Sequence, residues 1–255
     1  MSSSRVSEMT LIRPDWPAPS NIRAVCTTRL GGVSMPPWAS MNLAAHVGDV
    51  PAHVAENRLG LARACKLPTE AFGWLNQVHG TDVVCLPSAA TANIPDADAS
   101  WTQAPNIACT ILTADCLPVI LCDHDGATVA AAHAGWRSLS SGILEKLVSE
   151  MGAPSNTLMA WLGPAIGPEA FEVGPEVKAA FMAHDPEAEI AFSSVGAREG
   201  HYMADIYLLA RQRLQKMGVA KLYGGGFCTV TDKQRFYSYR RDGKTGRMAT
   251  AIWKI

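Results

Sequence analysis

Apolar residues recur at helical spacing in two stretches of the chain. Between Ser140 and Met151 they fall at 143, 144, 147, 148 and 151, and between Asp205 and Met217 at 206, 209, 210, 214 and 217. Each set lines one face of a 3.6-residue period, and Gly218 stands where the second helix must stop. A third helix is predicted over Asp49–Cys65, with Asp49 as N-cap candidate, Pro51 suited to the first turn, and Val54, Leu61 and Cys65 near one face. Short apolar runs predict strands at Arg23–Thr28, Ile107–Thr113, Val119–Leu121, Thr128–Ala132, Leu158–Leu162 and Leu222–Cys228. The run Asp123-His124-Asp125-Gly126 reads as a turn, which makes the arms carrying Cys116 and His133 hairpin neighbours. A second hairpin is predicted at the C-terminus, where Arg235–Tyr239 and Met248–Trp253 flank Arg-Asp-Gly-Lys-Thr-Gly. Helices and strands are mixed without strict alternation, and no period of roughly 20–50 residues recurs. The pattern therefore predicts one domain over residues 1–255, with residues 1–9 disordered.

Composition narrows the class. Apolar residues make up 48% and charged residues 18% of the 255-residue chain, an ordinary globular balance that permits a large core. Lys and Arg (22) nearly cancel Asp and Glu (23), so no net field draws the chain to nucleic acid or an anionic membrane, and small-molecule or protein partners are favoured. The most apolar stretch, Ile107–Cys122, is interrupted by Asp115 and Pro118 and reads as a buried strand pair rather than a membrane span. The first residues carry Arg5, Glu8, Arg13 and Asp15 without an apolar segment, so they do not read as a secretory signal. Seven cysteines, an odd number scattered through apolar runs, suit reduced thiols in a cytoplasmic protein.

Three residues stand out as candidate chemistry. Cys116 lies in Thr-Ala-Asp-Cys-Leu-Pro, where an acid and a proline break an apolar run. His133 ends an apolar strand just before Gly135 and a predicted helix, and His79 in Asn-Gln-Val-His-Gly again precedes glycine. Taken singly, a histidine is more often a satisfied core or surface residue and a cysteine a small hydrophobe. Their spacing matches no short zinc motif, and the chain has no Cys-x-x-Cys pair. If the three meet, two imidazoles and a thiolate suit zinc, and three protein ligands leave the open position of a catalytic site.

A set of segments then resembles one family along nearly the whole chain. These are Thr27–Ser34 (TTRLGGVS), Ser40–Leu43, Asn57-Arg58, Asn76–Gly80, Thr113–Pro118, Ala132–Arg137 (AHAGWR), Leu162–Gly167 and Phe236–Asp242 (FYSYRRD). They resemble the YfiH-like or laccase-domain proteins, a family also described as purine nucleoside phosphorylases. Ser138 and Met41 depart from the usual glycine and leucine, and neither change removes a ligand. The resemblance implies an α+β fold, a sandwich of mixed β-sheets flanked by helices and related to cysteine-hydrolase-like toxins. It also implies one zinc per chain held by His79, Cys116 and His133. The implied activity is phosphorolysis of adenosine, inosine or methylthioadenosine together with deamination of adenosine, so the partners are a nucleoside and phosphate, acted on by a monomer or homodimer.

The remaining candidates are polar residues in or near those segments. Arg240, Arg241, Lys244 and Arg247 could hold phosphate or form a solvated basic turn, and Arg240 is the preferred phosphate ligand. Asn42, Arg58 and Gln77 could orient substrate or be structural polarity. Asp115 could accept a histidine N–H, act as general acid/base, or cap a turn. Gly31-Gly32 and Gly224–Gly226 lack the context of a dinucleotide motif and read as turns. Two other functions use the same residues. An amidase editing a peptidoglycan precursor would take Cys116 as nucleophile and His133 as base. A copper polyphenol oxidase fits poorly, because multicopper sites draw on many His-x-His pairs and these seven histidines include none.

Overall fold

The computed structural model describes residues 9–87 and 94–255. The expected disorder of residues 1–9 falls, Met9 apart, outside the described residues.

Strand Leu117–Asp123 is buried along its whole length, and its alternate residues belong to two different cores. Ile120 and Cys122 point to one side, where they pack with Ala131, Met159 and Trp161 against Cys26, Cys109, Ile111 and Ile252. Val119 and Leu121 point to the other, where they meet Ile143, Leu147, Phe181 and Leu209 of the flanking helices. A strand covered on both faces is apolar nearly throughout, which is why Leu117–Cys122 reads as an apolar run.

The architecture follows from those two faces. A six-stranded mixed sheet runs in the order Lys221–Gly224, Leu158–Leu162, Leu117–Asp123, Val129–Ala134, Ala99–Thr102, Val83–Cys85. Facing it is a five-stranded sheet in the order Leu11–Ile12, Ile22–Thr27, Met248–Lys254, Ala108–Thr113, Phe72–Gly73. The helix Pro51–Cys65 covers the outer face of the five-stranded sheet through Leu61, Ala62 and Cys65. Helices Ile143–Glu150, Pro175–Met182 and Ile206–Lys216 cover the outer face of the other. A small antiparallel sheet, Glu172–Val173, Tyr202–Ala204 and Phe192–Ser193, lies at the helical side. The expected sandwich of mixed sheets flanked by helices is what the chain forms. Among the described residues no helix is long and apolar enough to cross a membrane.

Several local expectations are corrected. The C-terminal hairpin does not form: Met248–Lys254 pairs instead with Ile22–Thr27 and Ala108–Thr113, while Tyr239–Asp242 is a short helix capped by the Ser238 hydroxyl. The predicted strand Leu222–Cys228 stops at Gly224, because Gly224, Gly225 and Gly226 all take positive φ. The helix expected over Ser140–Met151 runs from Ile143 to Glu150, and Gly142 with φ 96° separates it from a short preceding helix, Trp136–Ser140. Asp49 does not cap its helix through the side chain. Its carboxylate accepts from the Ser34 hydroxyl and the Asn42 amide instead.

Candidate active site

The chain crosses from one sheet to the other between Thr113 and Leu117, and Cys116 sits in that crossing. Asp115 makes the crossing possible with φ 94°, a conformation unusual for a non-glycine residue. Its carboxylate is fully engaged: it accepts from the hydroxyls of Thr229 (2.6 Å) and Ser238 (3.0 Å) and from the Arg240 backbone N–H (2.7 Å). Asp115 thus pins the crossing to the C-terminal segment, and neither histidine donates to it.

His133 lies in strand Val129–Ala134, with Pro118 opposite it, so the predicted hairpin does bring its arm beside Cys116. His79 arrives from the loop between Phe72–Gly73 and Val83–Cys85, also at positive φ (61°). The three ligand atoms lie within 4.8 Å of one another, and the two imidazole centroids are 4.8 Å apart at 80°. The group can hold a metal ion. A Cβ at Gly135 would come 3.0 Å from the Cys116 sulfur and 3.5 Å from each imidazole, so glycine leaves the space the cluster occupies.

Asp98 organises the cluster. Fully buried, it accepts from the backbone N–H groups of Val78 (3.2 Å), His79 (3.0 Å) and Gly80 (2.7 Å), and it stands 2.8 Å from His133 Nδ1. Three successive N–H groups converging on one carboxylate hold the His79 loop in its left-handed turn. An acceptor so placed fixes Nδ1–H on His133 and leaves Nε2 facing Cys116. The histidine's acceptor is therefore Asp98 and not Asp115. Sequence patterning did not single it out; the available signal was the acids Asp96 and Asp98 at the head of the strand Ala99–Thr102.

Electrostatics tie the three groups together. Burial opposes ionisation of Cys116, but the charge of His133 and hydrogen bonds from His133 and His79 outweigh it and hold the thiol well below its ordinary range. Burial likewise disfavours protonated His133, yet Cys116 and Asp98 raise it well above the imidazole range. Burial works against ionised Asp98 as well, and bonds from His133 and the Gly80 and Val78 N–H groups overcome it. Without a metal these shifts favour a thiolate–imidazolium pair backed by a carboxylate. A divalent cation would take the place of the imidazolium proton.

Two clefts meet at the cluster and share His79, Ala114, Cys116 and Tyr239. One, about 340 Å³, is walled by His46, Gln77, Thr113, His133 and Arg247. The other, about 250 Å³, is walled by Trp136, Ile166, Phe171, Ile206 and Arg240. Of the polar candidates, Gln77 lines the first cleft, but its amide is spent on the backbone of Leu112, accepting its N–H and donating to its carbonyl (both 2.8 Å). Asn42 is fully buried and holds Ala44, Asp49 and the Arg247 N–H. Arg58 lies outside the clefts' walls, stacked 4.0 Å over Trp74 and bonded to the Leu43 carbonyl. Arg240 reaches the Glu172 carbonyl, and Arg241 is tied to Asp242 and three carbonyls.

Comparison with known proteins agrees with this geometry. Residues 23–255 match the family model described as multi-copper polyphenol oxidoreductase laccase. The chain is 53% identical over 242 residues to a Pseudomonas aeruginosa protein named purine nucleoside phosphorylase, covering 95% of this chain and 97% of that one. It is also 53% identical over 245 residues to the Escherichia coli purine nucleoside phosphorylase YfiH, covering 96% and 99%. The crystal structure of a Neisseria meningitidis protein superposes with a TM-score of 0.91 at 48% identity, over 96% of this chain and 98% of that one.

Proposed function

The chain belongs to the laccase-domain family that includes YfiH, and from that membership we propose that it is a zinc-dependent purine nucleoside phosphorylase that also deaminates adenosine. The observation that carries this reading is the His79–Cys116–His133 cluster at the junction of two clefts, in a chain whose relatives are named for that reaction. We read residues 1–255 as one domain working in the cytoplasm on adenosine, inosine or methylthioadenosine with phosphate.

The donor set fits zinc rather than a copper cluster: two imidazoles and one thiolate are available, and Asp98 leaves His133 Nε2 as a lone pair. His79, Cys116 and His133 would hold the ion. Bound there, it would supply Lewis-acid polarisation at the position its protein ligands leave open. The chain's own residues do the rest. Trp136, Phe171 and Ile166 line the second cleft and offer apolar surface against which a purine can pack. Phosphorolysis breaks the bond between the sugar C1′ and the purine nitrogen, whose electron pair goes to the base. A phosphate oxygen bonds C1′, and the proton of hydrogen phosphate ends on the base. Positioning both reactants across the cluster is worth much of the barrier.

One observation favours a second reading. The Cys116–His133–Asp98 order, with the carboxylate behind the imidazole, is that of a cysteine hydrolase, and it supports the cysteine-hydrolase-like comparison and an amidase acting on a peptidoglycan precursor. Incubating zinc-loaded protein with inosine plus phosphate, and separately with muropeptide precursors, tests both. Hypoxanthine and ribose 1-phosphate in the first mixture support the phosphorylase; cleavage only in the second replaces it.

A further inference from the structure

Arg247 stands on the wall of the first cleft beside Cys116 and His133. Among the described residues it forms no ion pair: no carboxylate oxygen lies within 4.0 Å of it. One guanidinium nitrogen, Nη1, donates to the carbonyls of Thr245 and Gly246 (3.0 Å each), while among the described residues Nε and Nη2 form no hydrogen bond and the guanidinium lies 5.9 Å from the Tyr239 ring centroid. Arg58 lies behind, also without a carboxylate, and His46 completes the wall. Both arginines press on His46, whose pKa is lowered first by burial and then by their charges. A second observation comes from Thr113 on the same cleft. It is buried, and its hydroxyl has no hydrogen-bond partner among the described residues. Arg247 feels the charges of Cys116 and Asp115 without a direct ion pair, and a half-buried guanidinium with free N–H groups on the same cleft as an unpartnered hydroxyl leaves polar groups that an anion would complete.

We propose that Arg247, Thr113 and His46 form the oxyanion subsite of this enzyme and that it takes inorganic phosphate, with Asn42 as its positioning residue. This rests on the phosphorylase reading and deepens it. The free Nε and Nη2 of Arg247 present the fork that suits two oxygens of a tetrahedral anion. The Thr113 hydroxyl can donate to a third. Asn42 accepts the Arg247 backbone N–H at 3.0 Å and is itself clamped by Ala44 and Asp49, so a buried amide sets where the guanidinium begins. Arg240 does not share the role: it is exposed, occupies the other cleft, and spends Nη1 on the Glu172 carbonyl. Phosphate held at Arg247 would share the His79–Cys116–Tyr239 wall with a nucleoside in the aromatic cleft, so both reactants would meet at the cluster.

Steady-state phosphorolysis of inosine by zinc-loaded protein, with phosphate varied, tests the assignment alongside equilibrium dialysis of radiolabelled phosphate without nucleoside. Arg247→Gln is expected to raise the phosphate KM and the dialysis Kd by about tenfold or more, the scale of a lost charged hydrogen-bond pair, with the inosine KM within about threefold. Arg247→Lys should fall between it and the parent, and Arg240→Gln should leave the phosphate KM within about twofold. Zinc content and circular dichroism of each variant separate loss of the subsite from loss of the fold. Unchanged phosphate binding in folded Arg247→Gln overturns the subsite while leaving the phosphorylase reading standing. Phosphate binding that depends on Arg247 in a protein with no phosphorolysis does the reverse. A nucleoside 5′-monophosphate that binds through Arg247 where inorganic phosphate does not would also overturn it.

Discussion

Replacing Asp98 by asparagine is the sharpest probe of how the cluster is held. The change is nearly isosteric, so no cavity forms, but an amide offers one oxygen where the carboxylate offers two. Oδ1 of Asp98 serves His79 N–H and His133 Nδ1, and Oδ2 serves Val78 N–H and Gly80 N–H. Whichever way the new amide turns, its NH2 group faces two donors. Two charge-assisted bonds are lost at roughly 1.5–3 kcal/mol each, so about 3–6 kcal/mol of local stability goes with them. With the NH2 at the Oδ2 position the loop loses its Val78 and Gly80 bonds; with it at the Oδ1 position the loop loses its His79 bond and His133 loses the acceptor that keeps Nε2 unprotonated. Zinc affinity should fall about 10–100-fold, the usual cost of removing such a support. Competition with a chromophoric chelator reads the affinity, and thermal denaturation of the zinc-free protein reads the stability. An affinity and a melting temperature both unchanged in Asp98→Asn would refute the idea that Asp98 organises the site.

Further outcomes follow from the same geometry. Gly135→Ala puts a methyl 3.0 Å from the Cys116 sulfur, so zinc should bind more weakly while the fold persists; full affinity in the chelator assay would show that the pocket yields. Cys116→Ala should lose zinc and turnover, whereas Cys122→Ala, buried between the sheets, should cost about 1 kcal/mol of stability and keep both. In metal-free protein the depressed Cys116 pKa adds stability that is complete above the ordinary thiol pKa and lost as pH falls through the folded value. The raised His133 pKa adds stability that is complete below the ordinary imidazole pKa and lost as pH rises through its folded value. The melting-temperature deficit of Cys116→Ser should therefore be largest between those two folded values and shrink on either side. A deficit independent of pH would count against the ion pair.

What was legible beforehand divides along physical lines. Periodicity located the helices over Pro51–Cys65 and Ile206–Lys216 and the strand Leu158–Leu162, because each buries a regular face against a sheet or a helix layer. The hairpin joining the Cys116 and His133 arms was readable from its turn residues. Long-range pairing was not. Met248–Lys254 looks like one arm of a local hairpin, but its partners lie far away in sequence, and only packing between sheets selects them. The meeting of His79 with Cys116 and His133 came from family resemblance, since no spacing rule joins a loop to two strands. Asp98 escaped notice because an acid in the run Asp96-Ala97-Asp98-Ala99 gives no hint of the N–H groups that converge on it. Asn42, Gln77 and Asp115 sit in the resembling segments, yet their polar groups are spent on backbone and neighbouring side chains. A sequence segment marks that a polar group matters without saying what it holds.

The central claim is that the His79–Cys116–His133 cluster carries zinc-dependent phosphorolysis of purine nucleosides. The most direct measurement is ribose 1-phosphate formed from inosine, quantified with zinc-loaded protein, zinc-stripped protein and Cys116→Ala, each with and without phosphate. Ribose 1-phosphate is expected only with zinc-loaded parent protein and phosphate, at one zinc per chain. Equal yields from the stripped protein or from Cys116→Ala, or no ribose 1-phosphate from a fully zinc-loaded enzyme, would contradict it.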